Sequence, residues 1–260
     1  MKNKFKFFGL VVVLATVGLI VSACDDLLST EDVSNNTSAY YSWYGNGSAT
    51  NYTISTAAQL RGLSDIVMGR FGDGIPPQDD FRGKTITLIA DIDLSNQIWR
   101  SIGYSYEPVD PFNGTFDGNN RIIFGFITSN GQGFFGLIGE YGIVENINFD
   151  SFTASGDDGV GGLARINDGT IQNIRITNGS VSGTSPGGIV YSNWGIIQNT
   201  NFSGTVTAEL GDAGGIAGKN NSGGIIRDCN VIGIVTNYRS GSYDGIVGFN
   251  NGSVINCHYN

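Results

Sequence analysis

The sequence contains few of the side chains on which most enzymes depend. Its 260 residues include one histidine, two methionines, five prolines and three cysteines, and only 14% of them are charged. The single histidine, His258, is two residues from the end of the sequence. Serine and cysteine hydrolases usually need a histidine base, so a triad enzyme is not expected.

Positive charge is also scarce. The chain has 14 lysines and arginines against 23 acidic residues, which gives a net charge of −9 at pH 7. Three of the lysines lie in residues 1–23, a segment with no acidic residue, so the remainder is more acidic still. Such a protein repels the phosphates of nucleic acid, and we expect no nucleic-acid partner.

No hydrophobic run is long enough to span a bilayer as a helix. The longest, Phe7 to Val21, has 15 residues, and spanning takes about 18 to 20. A short basic start that includes Lys2, Lys4 and Lys6 precedes it, and the small residues Ser22 and Ala23 follow it. This order is typical of a secretory signal.

The end of that run, Val21-Ser22-Ala23-Cys24, resembles the bacterial lipobox. The resemblance implies that residues 1–23 are a signal peptide, that cleavage precedes Cys24 and that diacylglycerol is attached to its thiol. Several acyl chains on one residue hold a protein firmly at a membrane. We therefore expect a lipid-anchored protein of the cell envelope, at the outer membrane or cell surface.

The residues after Cys24 leave the membrane leaflet open. Asp25 and Asp26 resemble the export tags of some surface lipoproteins, and an aspartate here also resembles the inner-membrane retention signal of enterobacteria. Residues 24–50 are rich in serine, threonine and asparagine and have few aliphatic side chains. That composition predicts a flexible tether.

Glycine, by contrast, is abundant. There are 40 glycines without a Gly-x-y period, which excludes collagen, and 40% hydrophobic residues exclude a disordered chain. A pattern of glycine followed four residues later by asparagine or aspartate recurs five times, with these last residues 27, 26, 29 and 28 positions apart. The five copies are Gly142–Asn146, Gly169–Asn173, Gly195–Asn199, Gly224–Asp228 and Gly252–Asn256.

Each repeat has room for three short strands and for no crossover helix. The sequence therefore predicts an all-β parallel β-helix, or solenoid, over residues 51–260, with regular repeats from about residue 133. Stacking in register predicts ladders of equivalent residues. The expected interior rows are Leu137, Leu163, Ile189, Ile216 and Ile246, and Val144, Ile171, Ile197, Ile226 and Val254, with a corner row of Asn146, Asn173 and Asn199.

The two ends of the solenoid are expected to differ. Thr56-Ala57-Ala58-Gln59 is a capping box that opens a short N-terminal capping helix, with Leu60, Leu63 and Val67 on its apolar face. The last coil shows no cap. We expect its strand edge to be exposed and to permit self-association.

These repeats resemble the GLUG family, named for a Gly-Leu-apolar-Gly core. Gly136-Leu137-Ile138-Gly139 and Gly215-Ile216-Ala217-Gly218 match it, whereas Gly162-Leu163-Ala164-Arg165 departs at its last residue. The resemblance extends upstream to about residue 52 and implies a right-handed β-helix. The family occurs in bacterial surface proteins, including adhesin-like chains and non-catalytic parts of immunoglobulin A peptidases, and it implies no activity.

Several segments carry candidate chemistry. Gly131–Gly136 fits the dinucleotide fingerprint by letter, but no helix pattern follows it. The carboxylate pairs Asp79/Asp80, Asp91/Asp93 and Asp157/Asp158 are the catalytic candidates. Asp91 and Asp93 lie two apart and share a strand face, so they are also the candidate Ca²⁺ ligands. No other cofactor is expected.

Aromatic residues near loops are candidate sugar platforms, although covering the coils is their commoner role. The candidate ligand-binding residues are Trp99, Tyr104 and Tyr106 beside a long loop, with further aromatics at Tyr40, Tyr41, Trp43, Tyr44, Tyr191 and Trp194.

Cys229 and Cys257 each follow a corner residue of adjacent coils. At a spacing of about 4.8 Å they can form a disulfide or a stacked pair of free thiols.

These observations lead to three functional hypotheses. The first is a non-catalytic binding or spacer module at the cell surface, such as an adhesin for glycans or matrix proteins. The alternative is a β-helix polysaccharide lyase or hydrolase that uses aspartates. The third is a purely structural envelope protein.

Overall fold

The computed structural model describes residues 37–70, 72–104, 106, 109–236 and 245–260. The chain divides into two units at Thr37, and residues 38–260 form the second unit, which holds almost all of the described residues. The expected signal peptide, residues 1–23, and the expected lipidation site, Cys24, lie outside the described residues.

The described chain has two helices and nineteen strands. The helices are α1 (Thr37–Tyr41) and α2 (Ala57–Val67). The strands are β1 (Asn51–Ile54), β2 (Thr85–Leu88), β3 (Ile92–Ile98), β4 (Thr115–Asp117), β5 (Ile122–Thr128), β6 (Phe135–Ile138), β7 (Ile143–Asp150), β8 (Thr153–Ser155), β9 (Ala164–Asn167), β10 (Thr170–Gly183), β11 (Val190–Asn193), β12 (Ile196–Gln198), β13 (Asn201–Ala208), β14 (Ala217–Asn220), β15 (Ile225–Arg227), β16 (Asn230–Thr236), β17 (Val247–Asn250), β18 (Ser253–Ile255) and β19 (His258–Tyr259).

The strands form a parallel β-solenoid, as the sequence predicts. On the first face β1, β2, β4, β7, β10, β12, β15 and β18 stack in that order, and each pairing is parallel. On the second face β6, β9, β11, β14 and β17 form a separate five-stranded sheet. The third face contains β3, β5, β8, β13, β16 and β19, together with the second halves of β7 and β10.

One predicted interior row is confirmed without change. Val144, Ile171, Ile197, Ile226 and Val254 are Cα partners across the first face. The first four are fully buried and Val254 packs partly against the core. Each buried aliphatic side chain of this kind contributes about 1.5 to 3 kcal/mol.

The other interior row is correct from its second member onward and wrong at its first. Ala164 pairs with Phe135 and Ile166 pairs with Leu137. Phe134 therefore aligns with Leu163, and Leu137 lies three residues out of that row. The true copy in this coil is Gly133-Phe134-Phe135-Gly136, part of the segment that matches a dinucleotide fingerprint by letter. Aromatic residues fill this part of the core, where Phe134 also packs on Phe126 and Phe149.

The corner between the first and third faces depends on a left-handed backbone. Its residues have φ of 54° at Asn146, 56° at Asn173, 51° at Asn199, 55° at Asp228 and 51° at Asn256. Asparagine and aspartate tolerate this conformation better than other non-glycine residues. Asn173 Nδ2 donates to Asn146 Oδ1 (2.9 Å) and Asn199 Nδ2 donates to Asn173 Oδ1 (3.4 Å), so the predicted amide ladder is confirmed.

A second amide ladder lies inside the solenoid, at the end of the second face. Asn167 Nδ2 donates to Asn193 Oδ1 (2.8 Å), Asn193 to Asn220 (2.9 Å) and Asn220 to Asn250 (2.9 Å). The first three are fully buried. The ladder begins at Asn167 because the equivalent residue of the preceding coil is Ile138.

The N-terminal helix forms where the capping box predicts. The Thr56 side chain accepts a hydrogen bond from Gln59 N, and Gln59 Oε1 accepts one from Ser55 N (2.8 Å). Leu60 and Leu63 are fully buried. Helix α2 packs beside β3, and Ser64 Oγ donates to the Ser101 carbonyl (2.9 Å).

The prediction of a flexible tether through residue 50 is wrong for its final part. Residues 37–41 are helical, and Tyr41 and Tyr44 are 6% and 7% exposed. The Tyr44 ring stacks on Tyr52 at a centroid distance of 5.5 Å, and its hydroxyl donates to Asp79 (2.7 Å). These aromatic side chains cover the first coil. Their burial favours a folded segment more strongly than the polar residues around them favour a flexible one.

Candidate functional site

Trp99 does not lie on the surface, so its assignment as a ligand platform is wrong. It is 2% exposed, and its ring stacks on Phe134 with centroids 4.8 Å apart and planes 6° from parallel. Its Nε1 donates to the Phe134 carbonyl (2.9 Å). The next coil covers this ring, a contact that local sequence does not reveal.

Tyr104 and Tyr106 do lie together at the surface. The backbone of Tyr104 pairs with Asp110 in an antiparallel bridge, with N–H to O distances of 2.7 and 3.0 Å. The two tyrosine rings meet edge to face, with centroids 5.5 Å apart, and Tyr106 is 39% exposed. The structure therefore brings two of the three predicted ligand-binding residues into one surface cluster.

Two cations and a third tyrosine extend this cluster along the solenoid. The Arg165 guanidinium lies 4.6 Å from the Tyr106 ring centroid and 5.3 Å from that of Tyr191. The Lys219 ammonium lies 5.1 Å from the Tyr191 centroid. We call Tyr104, Tyr106, Arg165, Tyr191 and Lys219 the Arg165 cluster. Alternating aromatic rings and cations attract each other through the ring quadrupole.

The repeat itself explains why side chains project here. The strand register places Gly136, Arg165, Tyr191, Gly218 and Gly248 at one equivalent position of the second face. A Cβ at Gly136 would lie 2.4 Å from the Gly103 carbonyl oxygen, and one at Gly218 would lie 2.3 Å from that of Ser185. Of these five positions, only those of Arg165 and Tyr191 carry a side chain. In the sequence they are the two repeats whose final glycine is replaced by another residue.

Arg165 is held in place by its neighbours. It is 6% exposed, its Nη1 donates to the Gly159 carbonyl (2.7 Å) and its Nη2 to Asp158 Oδ2 (2.7 Å). The hydrogen bond from Arg165, followed by that from the Gly159 N–H, lowers the pKa of Asp158. Asp158 thus compensates the guanidinium, whereas Lys219 forms no ion pair with any described residue.

The cluster can therefore bind a ligand in two ways. Partly exposed tyrosine rings offer flat apolar faces to the C–H face of a sugar. The Lys219 ammonium offers a charge-assisted hydrogen bond to a carboxylate or sulfate. Sequence reasoning named Tyr104, Tyr106 and Tyr191 but missed both cations as members of the site.

The candidate Ca²⁺ ligands are engaged in backbone hydrogen bonds. Asp91 and Asp93 are both exposed and flank the buried Ile92, so they share one face as expected. Asp91 Oδ1 accepts from Ile122 N (2.9 Å), and Asp93 Oδ1 accepts from Ser95 N (2.6 Å). Within the described ranges no three histidine, cysteine, aspartate or glutamate side chains cluster as metal ligands do.

The other carboxylate pairs support turns and ion pairs. Burial alone would raise the pKa of Asp79, but hydrogen bonds from Lys84, Tyr44 and the Phe81 N–H outweigh it, and the pKa is lowered. Asp80 Oδ2 accepts from Asn113 Nδ2 (2.9 Å).

Cys229 and Cys257 are free thiols in contact across adjacent coils, one of the two arrangements expected. Cys229 is fully buried and Cys257 is half-buried. The hydrogen bond from the Cys229 thiol lowers the pKa of Cys257 to about 7, and the same contact, followed by burial, raises that of Cys229.

A second surface row lies at the corner between the second and first faces. Tyr141, Asp168 and Trp194 each precede the glycine that leads into β7, β10 and β12. Ile143, Thr170 and Ile196 are register partners, so the three residues occupy equivalent places on successive coils. We call Tyr141, Asp168 and Trp194 the Trp194 row. Sequence reasoning named Trp194 alone, although the spacing from each glycine identifies all three.

Comparisons with known proteins support the fold more than a function. No family model matches the chain. A stretch covering 72% of the chain is 33% identical, over 228 residues, to halomucin of Haloquadratum walsbyi, and it spans only 2% of that protein. A Bacteroides ovatus protein provisionally assigned as an immunoglobulin A1 protease has a similar structure, with a TM-score of 0.58 and 23% identity over 80% of this chain and 75% of that chain.

No helix among the described residues is both long and apolar enough to cross a membrane.

Proposed function

We propose that this chain is a non-catalytic binding module displayed at the cell surface and held there by lipid on Cys24. Its ligand-binding surface is the Arg165 cluster, and its ligands are acidic glycans. The observation that carries the proposal is the row of alternating tyrosine rings and cations along the second face of an otherwise acidic solenoid.

The charges of the cluster favour an anionic ligand. Asp158 forms an ion pair with Arg165 and also interacts electrostatically with Lys219, so two cations face one carboxylate here and a net positive charge remains. A glycan that carries carboxylates or sulfates can place its anionic group at Lys219 and its ring on Tyr191 or Tyr106. Charge-assisted bonds of this kind weaken with salt, because exposed charges are screened over about 10 Å at 0.1 M ionic strength.

The cell-surface location is supported by the lipobox-like end of the apolar run, Val21–Cys24, and by repeats that resemble the GLUG family. The solenoid is well suited to display, because each coil contacts only its neighbours and presents long, regular faces. A spacer with no ligand of its own is the competing role, and glycan binding distinguishes the two.

A glycan array probed with the full-length chain in mild detergent tests the binding function. We expect saturable, salt-sensitive binding to acidic glycans, and a loss of about tenfold, or 1.4 kcal/mol, for Lys219→Gln and for Tyr191→Ala. Arg175→Gln removes one positive charge from the exposed third face and serves as the matched control. If Lys219→Gln and Arg175→Gln bind the glycans equally well, the Arg165 cluster is not the binding site.

Lipid attachment is tested separately in cells. Full-length chain produced with an alkyne-labelled fatty acid should take up the label, and Cys24→Ser should abolish it. Cys257→Ser is the control for labelling of an ordinary thiol. Protease digestion of intact cells then reports whether the labelled protein faces outward.

A further inference from the structure

The Trp194 row has the form of a second binding site, at the corner that follows the second face, whereas Arg165, Tyr191 and Lys219 lie within the strands of that face. Trp194 is 53% exposed and Tyr141 is 49% exposed. Single exposed aromatics are common, but two at equivalent positions of a repeat form an ordered apolar platform.

The rings are separated by a distance that the solenoid sets. Tyr141 and Trp194 lie two coils apart, with Asp168 on the coil between them. Adjacent coils are spaced by about 4.8 Å, so the two ring positions are about 10 Å apart along the axis. That separation corresponds to two sugar units of an extended polysaccharide.

Neighbouring residues fix the Tyr141 ring. The Arg82 guanidinium stacks on it, 3.5 Å from the ring centroid, which is within cation–π range. Tyr141 N also approaches Asn113 Oδ1, at 3.4 Å, on the preceding coil. A ring held in this way loses little conformational entropy when a ligand stacks on its open face.

Two carboxylates belong to this corner: Asp168 is on the coil between the two rings, and Glu140 directly precedes Tyr141. Glu140 and Asp168 are exposed at this corner. Partial burial of the carboxyl raises the pKa of Asp168, and the negative charge of Glu140 raises it further. The two carboxylates therefore repel each other. Carboxylate oxygens accept hydrogen bonds from sugar hydroxyls and repel an anionic ligand.

We propose that the Trp194 row binds a neutral, extended glycan that runs along the solenoid axis. Alternate sugar rings stack on Tyr141 and Trp194, and the hydroxyls of the intervening sugar donate to Asp168 and Glu140. A sugar chain is the occupant because each of its units offers a C–H face and hydroxyl donors, repeated with nearly the period of the coils. The site is separate from the Arg165 cluster and does not depend on the function proposed for it.

Titration calorimetry of the full-length chain against cellohexaose, xylohexaose, mannohexaose and chitohexaose tests this site. We expect saturable binding of at least one, and a loss of tenfold or more with Trp194→Ala or Tyr141→Ala. Asp168→Asn should weaken binding several-fold. A hexamer should bind much more tightly than the matching disaccharide, because only a chain of three or more units reaches both rings.

The controls separate the two sites. Phe249→Ala removes an equally exposed ring (49%) outside the row, and Lys219→Gln disables the Arg165 cluster. Both should leave hexamer binding unchanged. Absence of saturable binding to all four hexamers, or wild-type affinity in both Trp194→Ala and Tyr141→Ala, would overturn the proposal. So would tighter binding of a polylysine peptide than of any hexamer, because the occupant would then be a cationic chain.

Discussion

At the scale of single residues, asparagine performs two different tasks in this protein. Asn146, Asn173 and Asn199 turn the chain in a left-handed conformation and bond along an exposed corner. Asn193, by contrast, is fully buried and bonds to Asn167 and Asn220. A buried amide left without its partner costs more than the same bond gains at the surface, so the two ladders should differ in their contribution to stability.

We expect Asn193→Ala to lower the free energy of unfolding by about 1 to 3 kcal/mol, because it removes the short bond from Asn167 Nδ2 and the donor to Asn220 Oδ1, both in buried residues. Guanidinium unfolding followed by circular dichroism measures this. Asn201→Ala, which removes an exposed acceptor of Asn230 Nδ2, is the matched control and should change stability much less. Equal effects would show that burial of the inner ladder has no special cost.

The thiol pair predicts a measurable reactivity. With a pKa of about 7, Cys257 should be alkylated by iodoacetamide at a rate that rises through neutral pH, while buried Cys229 stays unreactive. Cys229→Ala removes the hydrogen bond and should move the Cys257 curve to higher pH. Peptide mass spectrometry follows each cysteine separately.

The same experiment tests the alternative arrangement of these cysteines. A disulfide between Cys229 and Cys257 would leave both unreactive until a reductant is added. Alkylation of Cys257 without reductant would exclude it.

At the scale of the strand, stability comes from stacking. Strands such as β12 and β15 have three residues each and cannot persist alone. Each gains its hydrogen bonds and its covered apolar side chain from the coils on either side. The row that includes Ile171, Ile197 and Ile226 is therefore a continuous core.

Adjacent residues of β12 provide a direct test of this view. Ile197 is fully buried and Ile196 faces outward, half-buried. Ile197→Ala should cost about 2 to 5 kcal/mol, as other large-to-small core substitutions do. Ile196→Ala should cost less than half as much in the same chemical denaturation assay. A reversed order would mean that the strand register is wrong.

Predictions from sequence succeeded for strands where the repeat is regular and failed where its length changes. The row through Val144 and Ile171 was placed correctly, because a glycine and an asparagine or aspartate bracket it in all five repeats. In the other row only the first member, Leu137, was misplaced, by three residues, because glycines at 133, 136 and 139 give equivalent local patterns. Only pairing with β9 distinguishes them.

At the scale of the whole molecule, the two described ends of the solenoid differ in how far other residues cover them. Tyr44 stacks on Tyr52 of the first coil, Tyr41 is buried, and helix α2 packs beside β3. The last coil exposes Phe249 (49%), Ile255 (48%) and Tyr259 (40%). Strands β17, β18 and β19 each have a partner on one side only among the described strands.

An unpaired strand edge with exposed apolar side chains is a template for pairing. We expect the full-length chain to self-associate through β18 and its neighbours in a concentration-dependent way, measured by sedimentation equilibrium. Ile255→Lys should shift the equilibrium toward monomer by about tenfold, because a lysine on an edge strand opposes pairing. Ile98→Lys, at a position 70% exposed on β3, is the control. A monomer at the highest attainable concentration would contradict the expectation.

The sequence by itself determined the parallel solenoid, one of its interior rows, the asparagine corner and the capping helix. All of these depend on short-range patterns that recur from coil to coil, so local chemistry is sufficient. Tertiary structure alone decided that Trp99 is buried, that Arg165 and Lys219 flank Tyr191, and that Tyr141 and Trp194 lie on one axial row. Those contacts join residues about one coil or more apart, and a change of a few residues in coil length alters which side chains meet.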